Sequence, residues 1–333
     1  MAQETVTIPG GVRARAVPSA PGSAEGGRAD APAVKVRSTK PRSLWSDAWR
    51  RLTRNRMAVI GLCVIIIFWL VAILAPFIAP YGLNDQNHSA VYRPPVWNTG
   101  DWRYILGTDG VGRDELSRIL YGARISMLVG IIPVSIHLIV GGLIGLSAGF
   151  RGGRTDNLLM RLVDIMYAFP GLLFLIVVSA ALRDTFIGKQ MGGLLMIFIA
   201  LAIVGWEGTA RLVRGQVLSI KQKEYVEAAR SLGASNVRIM WKHIVPNILA
   251  PLIVSVAFGV PGAIFAEAGL SFIGIGIRPP IASWGNMIGD GFVSIYSNPI
   301  LIAAPAVCVA LVMLSFTFLG DGLRDALDPR MKQ

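Results

Sequence analysis

The sequence predicts an all-α membrane protein with six transmembrane helices and with both termini in the cytoplasm. The 333 residues are 53% hydrophobic and only 16% charged, whereas a soluble domain is about one quarter charged. Six stretches are apolar over roughly the 20 residues that a helix needs to cross a bilayer. The formal net charge is +12. The excess Lys and Arg residues lie in the connections on one side of the predicted membrane, as is typical of cytoplasmic loops.

The predicted spans lie between residues 57 and 319. They are 57–79, 125–150, 158–180, a fourth that starts near Gly193 and passes Trp206, 248–270 and 300–319. Pro170 interrupts the third span, where neighbouring helices can satisfy the carbonyl groups that proline leaves free. The second span contains small residues at a spacing that permits close helix contact. These are Gly141, Gly142, Gly145 and Gly149.

The chain divides into three predicted segments. Residues 1–42 are basic and rich in Pro, Ala, Gly and Ser, and they predict a disordered tail. Residues 43–105 predict an N-terminal module with the first span and an external loop. Residues 106–333 predict a core of five helices with a cytoplasmic loop at 221–246. That loop carries Lys221, Lys223, Arg230, Arg238 and Lys242, while the link between the last two spans carries only Arg278, so the positive-inside rule places the loop and both termini in the cytoplasm.

The sequence of the loop at 221–246 predicts two short helices joined by a glycine. Good helix formers continue to Leu232, and Gly233 can adopt the left-handed conformation that ends a helix. Ser235 is expected to cap the second helix, and Pro246 is expected to end it and to start the fifth span.

This loop resembles the signature loop of bacterial ABC importer permeases. The matching residues are Glu227, Ala228, Ala229, Gly233 and Pro246. The residue three before the proline is usually apolar, and His243 is a departure typical of the peptide branch. The resemblance implies a coupling helix that enters a groove on an ATPase subunit. Small alanines keep such a helix thin, and Glu227 offers a carboxylate to a basic partner. An ordinary amphipathic loop on the membrane surface is the alternative.

Other segments resemble the C-type permeases of oligopeptide and dipeptide importers. They are 49–81, 106–118, 121–126, 270–274, 279–280 and 284–285. The resemblance implies a six-helix ABC importer permease of the bacterial cytoplasmic membrane that moves peptides by alternating access. It also implies a homologous permease subunit, two ATPase subunits and an extracytoplasmic peptide-binding protein as partners. Nickel and glutathione importers share this architecture, so these cargoes remain open.

Several function classes lack support in the sequence. No Gly-x-x-x-x-Gly-Lys-Ser/Thr motif is present, so ATP hydrolysis is assigned to partner subunits and the chain is not expected to be an enzyme. The scattered histidines and the two cysteines predict neither a metal site nor a cofactor. No basic stripe interleaved with aromatic residues suggests nucleic acid. An ion-coupled secondary transporter is a weaker alternative because no inverted repeat is evident.

Charged residues near the spans give local predictions. Arg118 lies four residues after Asp114 and three after Glu115, which favours ion pairs on a short outer helix, with contact to an external binding protein as the lesser alternative. Asp164 is expected to pair with Arg161 by the same rule.

Acidic residues inside the membrane are functional candidates, so Glu267 is a candidate for the translocation path. His137 is expected to pack between helices. Asp164 and Glu267 lie near opposite faces, which disfavours an intramembrane enzyme.

Overall fold

The computed structural model describes residues 44–327, which are helical and contain no β-strand. The predicted basic tail at 1–42 and residues 328–333 lie outside this range. The principal helices are α1 (Leu44–Leu52), α2 (Arg56–Ile78), α3 (Glu115–Arg151), α4 (Gly153–Ala168), α5 (Gly171–Leu182), α6 (Leu194–Ile203), α7 (Trp206–Lys221), α8 (Glu224–Ser231), α9 (Val245–Phe272), α10 (Trp284–Phe292) and α11 (Ile300–Leu327).

Within the described residues, five helical runs are long and apolar enough to cross a membrane, and the bent pair α4–α5 makes a sixth. The predicted first span agrees with α2 to within one residue at each end. The Asn55 side chain caps α2 because its Oδ1 accepts from the backbone N–H groups of Met57 and Ala58, at 3.1 and 3.2 Å. The sixth predicted span ends at residue 319, whereas α11 continues to Leu327.

The second span starts earlier than the hydropathy predicts. Helix α3 has 37 residues and begins at Glu115, ten residues before the predicted start at Ile125. Asp114 caps it, with Oδ2 accepting from the Ser117 N–H at 2.8 Å. The separate outer helix expected around Arg118 is therefore wrong. Its charged residues are the first turns of α3 itself, and tertiary ion pairs stabilise them there.

The third span is not a single straight helix. Helices α4 and α5 meet at an angle of 87°. Phe169 between them is extended, with φ −90° and ψ 132°, because the ring of Pro170 disfavours helical geometry in the preceding residue. The predicted third span is therefore bent at Pro170, and the chain turns sharply there.

The fourth span also contains a break. Helix α6 ends at Ile203, and Gly205 adopts φ +117° before α7 begins. The Gly205 N–H donates to Glu207 Oε2 at 2.8 Å. His137 from α3 packs against this break, and its Nε2 lies 2.7 Å from the carbonyl oxygen of Leu201. The prediction that His137 packs between helices is confirmed.

Glycines bring α3 and α7 into backbone contact. A Cβ atom at Gly141 would lie 2.4 Å from the Trp206 carbonyl oxygen, and one at Gly145 would lie 2.3 Å from that of Ala210. Gly142 faces open space instead. The predicted close contact is confirmed for this face. Gly141 meets the start of α7, and further along α3 the Phe150 carbonyl accepts from Lys221 Nζ at the end of α7, at 2.7 Å. The two helices therefore run parallel.

This packing defines two ends of the molecule. The ends of α3 and α7 lie together beside residues 221–246, which we call the loop end. The start of α3 lies at the other end, where Trp284 at the start of α10 is completely buried. The Trp284 indole N–H donates to the Ile119 carbonyl at 3.1 Å, and its backbone N–H donates to Ser126 Oγ at 3.0 Å. We call this the α10 end.

Candidate functional site

The loop at 221–246 presents a short helix, α8, beyond the end of α7. Val226 is the buried residue of α8 and exposes none of its surface. It packs in an apolar cluster with Val213 and Val217 of α7 and with Ile239 and Ile244. This single buried side chain fixes which face of α8 points outward. Burying a valine contributes about 1.5–3 kcal/mol.

The outward face carries the residues that the loop signature emphasises. Glu227 and Ala228 are exposed, whereas Ala229 is half-buried. Glu227 has no salt bridge among the described residues. The carboxylate is therefore available to a basic partner, and the small side chain of Ala228 leaves space beside it.

Gly233 ends α8 as predicted. Its φ is +79°, a value that costs other residues about 1–2 kcal/mol. The Ala234 N–H donates to the Ala229 carbonyl at 3.1 Å, and the Gly233 N–H donates to that of Arg230 at 3.0 Å. This pair of hydrogen bonds is the Schellman motif, which satisfies carbonyl groups at a helix end.

The second half of the loop differs from the prediction. Ser235 is the N-cap as expected, with Oγ accepting from the Arg238 N–H at 3.3 Å. However, the helix then continues without interruption from Asn236 to Phe272. Pro246 lies in the first turn of α9 and follows a π-helical turn at Met240–Ile244. Pro246 therefore lies at the start of the fifth span as predicted, but it does not end the helical run that precedes it.

The surface of the loop end combines cations with large apolar side chains. Leu232 is 88% exposed, and Val237 and Trp241 are also exposed. Exposed basic residues lie among them, namely Lys223, Arg230, Arg238 and Lys242. Contiguous exposed apolar residues with a polar surround are typical of a protein interface. No cluster of potential metal ligands occurs in the described part of the chain.

Ion pairs at the α10 end do not follow the predicted spacing. Arg118 Nη1 donates to Asp109 Oδ2 at 2.7 Å, and Nη2 donates to Asp290 Oδ2 at 3.1 Å. Arg113 Nε also donates to Asp109 Oδ2, at 2.7 Å. The predicted pairs of Arg118 with Asp114 and Glu115 are wrong because Asp114 caps α3 and α10 brings a distant partner. Burial acts to raise the pKa of Asp109, but Arg118, Arg113 and backbone N–H groups hold that pKa below its usual value.

Asp164 has a different partner from the one predicted. Its Oδ1 accepts from Arg211 Nη2 on α7 at 2.6 Å, and the guanidinium of Arg211 lies 4.0 Å from the centre of the Tyr167 ring. The expected pair with Arg161 is wrong, because α4 lies against α7 and supplies a guanidinium from another helix.

Glu267 lies in a buried hydrogen-bond network near the α10 end. It exposes none of its surface. Its Oε1 accepts from Ser271 Oγ and from Ser283 Oγ, both at 2.7 Å. Ser271 Oγ in turn accepts from the Ile277 N–H at 3.2 Å, and Ser283 caps α10. Glu267 therefore holds the segment between α9 and α10. It lines no open surface in this conformation, and its place in a translocation path stays a prediction.

The helical fold with several apolar spans defines a multi-pass membrane protein, and comparisons with known proteins identify it as a permease. A family model described as "Binding-protein-dependent transport system inner membrane component" matches residues 141–333. A model described as "N-terminal TM domain of oligopeptide transport permease C" matches residues 43–95.

Two relatives from Bacillus subtilis (strain 168) are similar over most of their length. The oligopeptide transport system permease protein OppC is 42% identical over 296 residues, covering 89% of this chain and 93% of the relative. The dipeptide transport system permease protein DppC is 41% identical over 292 residues, covering 87% of each. The chain therefore belongs to the binding-protein-dependent permease family of ABC importers, and it is a multi-pass protein of the bacterial inner membrane.

A solved structure shares the fold. The inward-facing methionine ABC transporter MetNI contains a chain that superposes with a TM-score of 0.51 at 17% identity. The match covers 64% of this chain and 97% of that chain. The predicted permease fold is thus confirmed at the level of architecture.

Proposed function

We propose that this chain is the permease subunit of an ATP-driven importer of dipeptides and oligopeptides. Its relatives are named as oligopeptide and dipeptide permeases. The complete importer would contain a homologous permease subunit, two ATPase subunits and an extracytoplasmic peptide-binding protein. Transport would proceed by alternating access, with the loop end in the cytoplasm.

The observation that carries the coupling proposal is the outward presentation of Glu227 and Ala228 on α8. One face of α8 is anchored through Val226, and the other face is open. Helix α8 is also continuous in sequence with α7, which contacts α3 through the glycine face. A partner that moves α8 would therefore pull on two spans. This arrangement suits a helix that transmits motion from an ATPase subunit to the membrane domain.

The exposed apolar residues support a protein partner more than a membrane surface. Leu232, Val237 and Trp241 lie among residues of both charge signs, since Glu224 and Glu227 are exposed beside the cations. A helix that lies on anionic lipid is expected to separate a basic face from an apolar face. A mixed surface of this kind suits a groove with its own apolar and basic residues.

The test is peptide-stimulated ATPase activity and peptide uptake by the reconstituted importer carrying Glu227→Ala. We expect both to fall by about tenfold or more, because a charge pair at an interface is lost. Glu224→Ala is the matched control. It removes an exposed carboxylate from the same helix, one turn earlier, and is expected to leave both activities within about twofold.

Co-purification of the ATPase subunits shows whether the variants assemble. If Glu227→Ala assembled and kept full stimulated activity and uptake, the coupling role of α8 would be wrong.

A further inference from the structure

A cavity of about 460 Å³ lies at the α10 end, between the segment that precedes α3 and helix α10. Its size falls within the range of roughly 300–1,000 Å³ that is usual for small-molecule sites. Apolar side chains form much of its wall, including Val111, Met287, Val293 and Leu301. Five ionisable residues also line it, namely Asp109, Arg113, Glu115, Arg118 and Asp290. Apolar walls with convergent polar groups are usual in ligand sites.

The ionisable side chains around this cavity do not all have partners within the chain. Asp109 and Asp290 pair with Arg113 and Arg118, so two carboxylates match two guanidinium groups. Glu115 is a fifth ionisable residue. It is 1% exposed and forms no salt bridge with any described residue, and its Oε1 has no hydrogen-bond partner. A buried carboxylate without a partner is costly, so a cationic group in the cavity would stabilise it.

A hydrogen-bond donor without a partner lies on the same face of α3. Arg118 is 2% exposed, and its Nη1 and Nη2 contact Asp109 and Asp290, but its Nε has no partner. Residues three apart on a helix are neighbours on its surface. Glu115 and Arg118 therefore offer one carboxyl acceptor and one guanidinium donor, about one helical turn apart.

The Glu115 carboxyl and Arg118 Nε together restrict which chemical groups a ligand needs. A metal ion or a simple alkylamine would satisfy Glu115 and leave Arg118 Nε without an acceptor. An α-ammonium group followed by a carbonyl oxygen satisfies both. We propose that this cavity binds the amino end of a short peptide, with the ammonium group on Glu115 and the first carbonyl oxygen on Arg118 Nε. The adjoining side chain of the peptide contacts the apolar wall.

The inference rests on the proposed peptide import, and it adds a binding site within this subunit. The cavity lies at the end of α3 opposite the loop end, so peptide would meet it before reaching the cytoplasmic side. Glu115 and Arg118 would read the free amino end, whereas the apolar wall would tolerate different side chains.

The test uses the complete importer in lipid nanodiscs without its binding protein, and it measures equilibrium binding of radiolabelled dialanine. We expect saturable binding that N-acetyl-dialanine and propylamine compete for at least about tenfold more weakly than dialanine, because each lacks one of the two matching groups. Glu115→Gln is expected to weaken dialanine binding by about tenfold or more. The matched control is Asp184→Asn, which removes an exposed carboxylate that does not line the cavity.

Equal competition by N-acetyl-dialanine would overturn the proposal, and this arm needs no variant. Unchanged dialanine binding by an assembled Glu115→Gln importer would overturn it too. The Glu227→Ala importer is expected to bind dialanine normally, because α8 lies at the loop end. Loss of coupling with intact binding would therefore separate a failure here from a failure of the proposed function.

Discussion

The loop end and the α10 end are built in different ways. At the loop end, α8 is held mainly by one buried side chain, Val226, and most of its neighbours in the chain are exposed. At the α10 end, buried side chains from distant segments are joined by hydrogen bonds. These include Glu267 with Ser271 and Ser283, and Arg118 with Asp109 and Asp290.

The contrast indicates which end can move and which end keeps its shape. A helix held by few apolar contacts can shift as a unit when a partner binds. A network of buried polar groups tolerates little movement, because each separated group loses a partner in a medium of low dielectric constant. We therefore propose that the loop end transmits force and that the α10 end recognises ligand.

The largest expected loss of stability follows substitution of Glu267, because the hydrogen-bond network at the α10 end depends on its Oε1. We expect Glu267→Ala to lower the free energy of unfolding by about 2–4 kcal/mol, since two buried serine hydroxyls lose their acceptor and a cavity forms. Glu267→Gln keeps a carbonyl oxygen for both hydroxyls and is expected to cost less than about 1 kcal/mol. Denaturant unfolding of the purified permease followed by tryptophan fluorescence checks both variants.

If Glu267→Gln were as destabilising as Glu267→Ala, the carboxylate itself would be essential. Hydrogen bonding to the two serines would then not explain why Glu267 is required. The prediction that Glu267 lies in the translocation path would gain support.

A smaller effect is expected at Gly233, which ends α8 at the loop end. Gly233→Ala introduces a side chain at φ +79° and is expected to destabilise the end of α8 by about 1 kcal/mol. Amide hydrogen exchange at residues 229–234 is expected to become about fivefold faster, while exchange at the α10 end stays unchanged. The control is Gly215→Ala in α7, where an added Cβ meets no atom within 4 Å.

Equal exchange rates in Gly233→Ala and the unchanged chain would show that α8 is held by more than the contacts described above. The contrast between the two ends would then be weaker.

Local sequence signals predicted local structure well. The extent of α2 follows from a continuous apolar run, and the turn at Gly233 follows from the freedom of glycine at positive φ. The Ser235 cap and the close approach at Gly145 also follow from the properties of single residues and their spacing. The loop motif at Glu227 was recognisable for the same reason, because its residues are near one another in the chain.

Most errors concern partners that are distant in sequence, whereas the continuation of the helix past Pro246 is a local error. Spacing rules paired Asp164 with Arg161, but the neighbouring helix supplies Arg211. They paired Arg118 within its own helix, but α10 supplies Asp290, which is 172 residues away. Hydropathy also missed the first ten residues of α3, since polar side chains are buried there by pairing. The cavity beside Glu115 could not be predicted, because its two walls come from separate parts of the chain.

Cross-linking can show whether α8 contacts an ATPase subunit, as we propose. Cys63 and Cys308 would first be replaced by serine, because Cys63 is exposed and would also react. Ala228→Cys would then be treated with a short cross-linker that joins its thiol to nearby lysines, with Asn98→Cys in the exposed segment before α3 as the control.

We expect Ala228→Cys in the assembled importer to form an adduct with the ATPase subunit, and we expect the yield to change when ATP is bound. Asn98→Cys is expected to form no such adduct. If residue 228 of an assembled importer formed no adduct with the ATPase subunit, α8 would not be the coupling helix.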